Sequence, residues 1–213
     1  MAQVDVKFRL TGKSIPVDHG YLLFSAITEL VPELHGREDI GVHPVYGQLE
    51  GNRCMAIQNN SFLTIRLPVE EISMVLPIAG KVLRIGEHEV RVGVPNTQAL
   101  VPGASLRCRL AVIKGFMEPE PFLEAARQQL IGMEIGGRPS LISQPQIAEI
   151  NRGKNNGSHS PYVRRTLKIH DKEVVGFALR VEELTADESI KLQEKGVGGR
   201  RRFGCGIFVV DRS

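Results

Sequence analysis

The feature that most constrains this chain is an order of elements that occurs twice. Val4, Val6, Phe8 and Leu10 alternate with polar residues, which predicts a strand. The next segment, "SIPVDHGYLLFSAITELVPELHG", spaces Leu22, Leu23, Ala26, Ile27 and Leu30 for one helical face, with Asp18 as the expected N-cap. Pro32 should end that helix, and Gly36 can close its last turn. Strand-like runs follow at 41–49 and 54–67, parted by the turn signal "EGN"; then come a short helix in "PVEEISMVLPIAG" and a strand in "KVLRIGEHEVRVGV". The order is β-α-β-β-α-β.

The same order then restarts. "ASLRCRLAVIKG" predicts a strand, "EPEPFLEAARQQLIGM" an amphipathic helix, and 139–143 a weaker strand. "VRRTLKI" and "EVVGFALRVEEL" predict a hairpin about "HDK", "TADESIKLQEKG" a helix capped by Thr185 or Asp187, and "FGCGIFVV" a last strand. The polar stretch "INRGKNNGSHSP" predicts a long loop. The two halves share element order and no obvious sequence. The expected fold is therefore α+β, with tandem ferredoxin-like (βαββαβ) domains at 1–97 and 98–213 and a boundary near 95–104.

With no tryptophan and 5% aromatics, the core must be built from Val, Leu and Ile. No stretch reaches the roughly 18 apolar residues of a membrane span, and "MAQVDVKFRL" predicts a strand and not a signal peptide, so a cytoplasmic protein without membrane contact is expected. Cys54, Cys108 and Cys205 are far apart and form no CxxC pair, which predicts free thiols and no structural metal site. The net charge of +3 is unevenly spread: residues 151–213 carry +5 and the preceding 150 carry −2. A polyanionic partner is expected at the basic end.

The most unusual local stretch is "GVGGRRRFGCGIF", residues 196–208. It follows a helix and precedes a strand, the reverse of a phosphate-binding Gly-rich loop, and it lacks Gly-Lys-Ser/Thr. A dinucleotide or Walker-type site is disfavoured on that ground. The remaining functional reading is a flexible loop that approaches a sugar–phosphate chain. Gly196, Gly198, Gly199 and Gly204 would supply close backbone contact, and Arg200, Arg201 and Arg202 planar donors. Three consecutive arginines cannot share one face of an extended chain, so at least one is expected to be structural.

This loop resembles the glycine-rich loop of the CRISPR-associated repeat-RNA endoribonucleases of the RAMP superfamily. "VDHGYLLFSAITELVPELHG" is similar to the first helix of that family, and "SPYVRRTLKIHDKEVVGFALRVEEL" to its second-domain hairpin. The small size resembles the MYXAN-type branch. The resemblance implies tandem ferredoxin-like domains and metal-independent, cofactor-free cleavage of precursor CRISPR RNA within each repeat. The partners it implies are the repeat RNA and other subunits of a type I effector complex, with the guide RNA retained.

Such cleavage uses the 2′-OH beside the scissile phosphate as nucleophile and leaves a 2′,3′-cyclic phosphate and a 5′-OH. It needs proton transfer groups and positive charge at the phosphate. The family places its histidine in or just after the first helix, which implies His35 first, then His19, then His43. His35 behind a helix C-terminus suits an acid; His19 at the N-terminus suits a base. A helix running unbroken between them would hold them about 24 Å apart, too far to serve one phosphate. Tyr21 could position substrate, and His88, His159 and His170 have contexts that fit bland roles. Arg164 and Lys168 share one face of the hairpin strand, with Arg165 on the other, and Arg152 and Lys154 add charge in the long loop. RNA recognition by shape and phosphates is expected, with little base stacking because aromatics are scarce. The competing readings are a non-catalytic RNA-binding subunit of the same fold and a nucleotide-binding regulatory domain.

Overall fold

A computed structural model describes residues 2–143, 161–169 and 172–212. Strand β1 (Gln3–Gly12) buries Val4, Val6, Phe8 and Leu10 on one face, as the alternation predicts. After the short β2 (Ser14–Pro16), α1 (Gly20–Leu30) lays Leu23, Phe24, Ala26 and Ile27 into the core. The helix stops before Pro32, which opens a single 3₁₀ turn over Pro32–Leu34. His19, not Asp18, occupies the cap position. The Asp18 carboxylate is turned to the other half of the chain, where Oδ2 accepts the Lys168 backbone N–H at 2.9 Å.

The two strand-like runs that follow are four strands: β3 (Gly41–Val42), β4 (Gln48–Glu50), β5 (Cys54–Ala56) and β6 (Phe62–Pro68). Asn52 and Arg53, with φ of 59° and 57°, fold β4 and β5 into a hairpin. Polar residues 58–60 then break the second run. A short α2 (Ile72–Val75) lies between two 3₁₀ turns, and β7 (Val82–Ile85) and β8 (His88–Ala99) complete the first sheet. Its strand order is β3-β6-β1-β8-β7. Without the edge strand β7 this is a 2-3-1-4 antiparallel sheet, with α1 after its first strand and α2 after its third. That is the ferredoxin-like arrangement.

The second sheet repeats it. β9 (Leu106–Ala111), α3 (Pro119–Gly132), β10 (Arg138–Leu141), β11 (Arg164–Ile169), β12 (Lys172–Glu182), α4 (Ala186–Lys195) and β13 (Phe208–Val210) follow in order. The sheet order β10-β12-β9-β13 is again 2-3-1-4. β12 is long enough to take two partners: its first residues pair with β11 and its last with β10. The tip of the β11–β12 hairpin and most of the long polar loop, with Arg152, Lys154, His159 and His170, lie outside the described residues. Among the described residues no helix is long and apolar enough to cross a membrane.

Each of the two five-stranded sheets has its own apolar core. Arg66 on β6 joins them. Its side chain is 1% exposed. Nε and Nη2 donate to the two Asp5 carboxylate oxygens at 2.7 and 2.9 Å, and Nη1 donates to the carbonyls of Gln193 and Phe208, both at 2.9 Å. A guanidinium can satisfy a carboxylate and two carbonyls at once because it offers five donors in one plane.

Candidate nucleic-acid interface and active site

The glycine-rich stretch is packed, which corrects the expectation of a flexible loop. A capping box between Thr185 and Glu188 starts α4, and Gly196, at φ 70°, ends it. A Cβ on Gly196 would lie 2.2 Å from the Gly206 carbonyl, and one on Gly198 (φ 76°) 2.2 Å from the Val112 carbonyl. The Gly198 N–H donates to Gln129 Oε1 at 2.7 Å, Gly199 to the Val112 carbonyl at 3.0 Å and Gly206 to the Leu110 carbonyl at 2.8 Å. Gly196 and Gly198 are therefore needed for main chain packed on main chain inside the protein. Gly199 has open space around it, and Gly204 (φ 86°) rests against Pro44.

The three arginines diverge. Arg200 is exposed, in a left-handed conformation with φ 67°. Arg201 is buried and donates from Nη1 to the Glu194 carbonyl and from Nη2 to the Gln193 carbonyl at 3.4 Å, at the end of α4. Burial, and then the nearby Arg66, lower its pKa to about 10. Arg201 is thus the structural member of the three and is withdrawn from the set of RNA contacts. Arg202 is half-buried, its guanidinium 5.8 Å from the Phe24 ring and 5.1 Å from the Phe203 ring. Phe203 also meets Tyr21 and Phe24 edge-on, so the turn at Arg201–Phe203 is anchored on α1. Tyr21 takes a packing role there.

The histidines separate just as clearly. His19 is 1% exposed, and both ring nitrogens are engaged: Nδ1 lies 2.9 Å from the Pro16 carbonyl, and Nε2 accepts the Val45 N–H at 2.9 Å. This fixes a neutral ring with its proton on Nδ1. Burial lowers its pKa to about 4, against the pull of the Pro16 carbonyl. The neutral state expected of a base is present, but no nitrogen is open to a substrate. His19 is a post tying α1 to the 43–46 segment. His43 is also buried; its Nε2 lies 3.3 Å from Asp5 Oδ1, and desolvation outweighs that carboxylate and depresses the imidazole pKa. His88 sits half-buried between Ser14 Oγ at 3.2 Å and Cys54 Sγ at 3.8 Å. Cys108 and Cys205 are buried free thiols, both pushed up to about 12 by desolvation. His35 follows the 3₁₀ turn at the end of α1 and is exposed. Two residues on, Arg37 grips Asp39 and Glu71 and pins the segment that carries it.

Positive charge gathers in a cleft between the halves. Arg109 and Arg165 line it throughout, Arg107 stands at one end and Arg53 with Arg164 at the other, around Pro44 and Gly204. Asp18 is the only carboxylate among those lining residues. Arg165 lies on the Leu167 side of β11 and is exposed along the cleft; partial desolvation and the neighbouring Arg109 lower its pKa. Lys168 is exposed on the same strand. The structure thus brings together Arg164, Arg165 and Gly204 from the expected set and adds Arg53, Arg107 and Arg109. The signal for two of these lies in "LRCRL": Leu106, Cys108 and Leu110 are buried, so the arginines between them must face away from the core.

A Cas6 family model (Cas6 Crispr) matches residues 4–213. A CRISPR-associated endonuclease Cas6 from Myxococcus xanthus is 34% identical over 209 residues, covering 98% of this chain and 82% of that protein. The structure of a Cas6-related gene product from Pyrococcus furiosus superposes with a TM-score of 0.68 at 14% identity, covering 99% of this chain and all of the other. A second structure, a CRISPR-associated protein Cas6, gives 0.67 at 12% identity with the same coverage. At such identities the two structures speak for the tandem ferredoxin-like fold; the family model and the Myxococcus relative carry the assignment, and the chain belongs to the Cas6 family.

Proposed function

We propose that this chain is a metal-independent endoribonuclease that cuts precursor CRISPR RNA within its repeats. The observation that carries the reading is the arginine cleft between the two halves. A set of guanidiniums with one carboxylate among them suits the successive phosphates of a nucleic-acid strand. His35 is the proton-transfer residue of the proposal, because it is the one exposed imidazole among the described histidines. It moves a proton at the attacking 2′-oxygen or the leaving 5′-oxygen; it lines neither end of the arginine cleft, so the cleft arginines hold the RNA strand that flanks the cut. The cut RNA stays on these arginines and enters a type I effector complex as its guide.

The test is incubation with repeat RNA in EDTA. Cleavage is expected to persist and to leave 2′,3′-cyclic phosphate and 5′-OH ends. His35→Ala is expected to slow it by about 100-fold or more while leaving RNA affinity in place. RNA that stays intact but is bound in a salt-sensitive manner would identify a non-catalytic binding subunit instead.

A further inference from the structure

The alternation that buries one face of β1 leaves Asp5, Lys7 and Arg9 on the other. The strand register then fixes their neighbours: Arg9 stands opposite Phe62, Lys7 between Thr64 and Asn96, and Asp5 between Arg66 and Gln98. Phe62 breaks the pattern of β6. Leu63, Ile65 and Leu67 point to the core, so position 62 belongs to the outer face, where a polar residue would be the default. Its ring is partly exposed, with Lys7 Nζ 4.9 Å and the Arg9 guanidinium 6.0 Å from the centroid. Lys7 also donates to Gln98 Oε1 at 3.3 Å.

This patch is continuous with the arginine cleft. Lys7 and Phe62 line a hollow that also holds Pro44 and Tyr46, and Pro44 and Tyr46 line the arginine cleft beyond. Tyr46 is 59% exposed at the junction. The one carboxylate in the hollow, Asp5, is already held by Arg66. The outer face thus offers a partly exposed aromatic ring flanked by two cations, with the Asn96 and Gln98 side chains beside them and Gln98 already accepting from Lys7. A planar base between two phosphates presents the complementary set: a π-face for the ring, charge for the cations and polar edges for the amides.

Building on the RNA-cleavage reading, we propose that this outer sheet face is a second RNA contact. Phe62 stacks on one unpaired base of the repeat, and Lys7 and Arg9 hold the phosphates on either side. The cleft and the sheet face then form one track for a single strand. The scarcity of aromatics limits stacking on this track to the Phe62–Tyr46 region.

An abasic scan of the repeat RNA tests this with the full chain. In the wild type, removing one unpaired base is expected to weaken binding about ten-fold. Phe62→Leu should bind about ten-fold more weakly and become indifferent to that removal, and Phe62→Tyr should keep the dependence. The same abasic profile in Phe62→Leu and the wild type overturns the proposal while leaving cleavage untouched. A wild type that binds no repeat RNA overturns this proposal and the cleavage reading together. Should Phe62→Leu fail to fold, the Lys7→Ala/Arg9→Ala double variant decides: a salt dependence of binding shallower by about two phosphate contacts supports the proposal, and an unchanged slope sinks it.

Discussion

At the scale of single residues, neighbours in sequence have opposite roles. Three adjacent arginines announced that one would turn inward, because a strand or tight turn cannot point three successive side chains the same way. Which one turned was not legible, since it depends on where the last carbonyls of α4 fall. Arg201→Ala leaves the Glu194 carbonyl without its charged donor, while the Gln193 carbonyl keeps Arg66. The expected loss is about 2 kcal/mol, read as a drop of several degrees in Tm, whereas exposed Arg200→Ala should leave Tm nearly unchanged. His19 was legible as a residue at a helix start but not as a buried one. Its burial has a pH signature. The folded protein refuses a proton until about pH 4, whereas an unfolded imidazole accepts one near its ordinary value of 6.5. Stability is therefore complete above that ordinary value and declines as pH falls toward 4. His43 shifts in the same direction and adds to the decline. Urea midpoints measured between pH 7.5 and 4.5 should fall, by up to about 1.4 kcal/mol per pH unit for each proton involved. His19→Gln, although less stable at pH 7.5, should flatten the curve.

Among the elements, long periodic segments were readable and short ones were not. β1, α1, α3, α4 and the β11–β12 hairpin follow directly from their apolar spacing and turn residues. The three-residue strands β2, β4 and β5 pair with one another in a small separate sheet, and three residues are too few to carry a period. The glycine-rich segment shows the same limit from another side. Its glycines were visible, but whether they gave freedom or close packing depended on Val112 and Gly206, brought near only by the fold. Two substitutions separate the roles. Gly198→Ala places a methyl against the Val112 carbonyl at a φ of 76°, with an expected loss of at least about 2 kcal/mol. Gly199→Ala meets nothing within 4 Å and should unfold at nearly the wild-type temperature. Thermal unfolding of the pair is the measurement.

In the whole molecule, the basic bias of the last third pointed to the right half but not to the site. The cleft also draws Arg53 from the N-terminal half and Arg107 and Arg109 from β9, and only the packing of one half on the other unites them. Arg109→Ala and Arg165→Ala should each weaken RNA binding at every repeat position alike and reduce its salt slope by about one contact. The packing itself depends on Arg66. Burial alone would raise the Asp5 pKa, but His43 and Arg66 more than offset it and hold the carboxyl well below the usual range. Arg66→Ala leaves the buried Asp5 carboxylate with His43 as its remaining partner and takes a charged donor from the Gln193 and Phe208 carbonyls, a loss of about 3–5 kcal/mol. The urea midpoint should drop, and the single unfolding transition should resolve into two as the halves lose their coupling.

The Arg66 joint also bears on how the molecule must handle its ligand. A guanidinium that grips a strand of one half and both a helix and a strand of the other resists opening between them. With the walls of the groove clasped in this way, the ribose–phosphate chain is expected to do the bending, and repeats with a pliable single-stranded flank are expected to seat best.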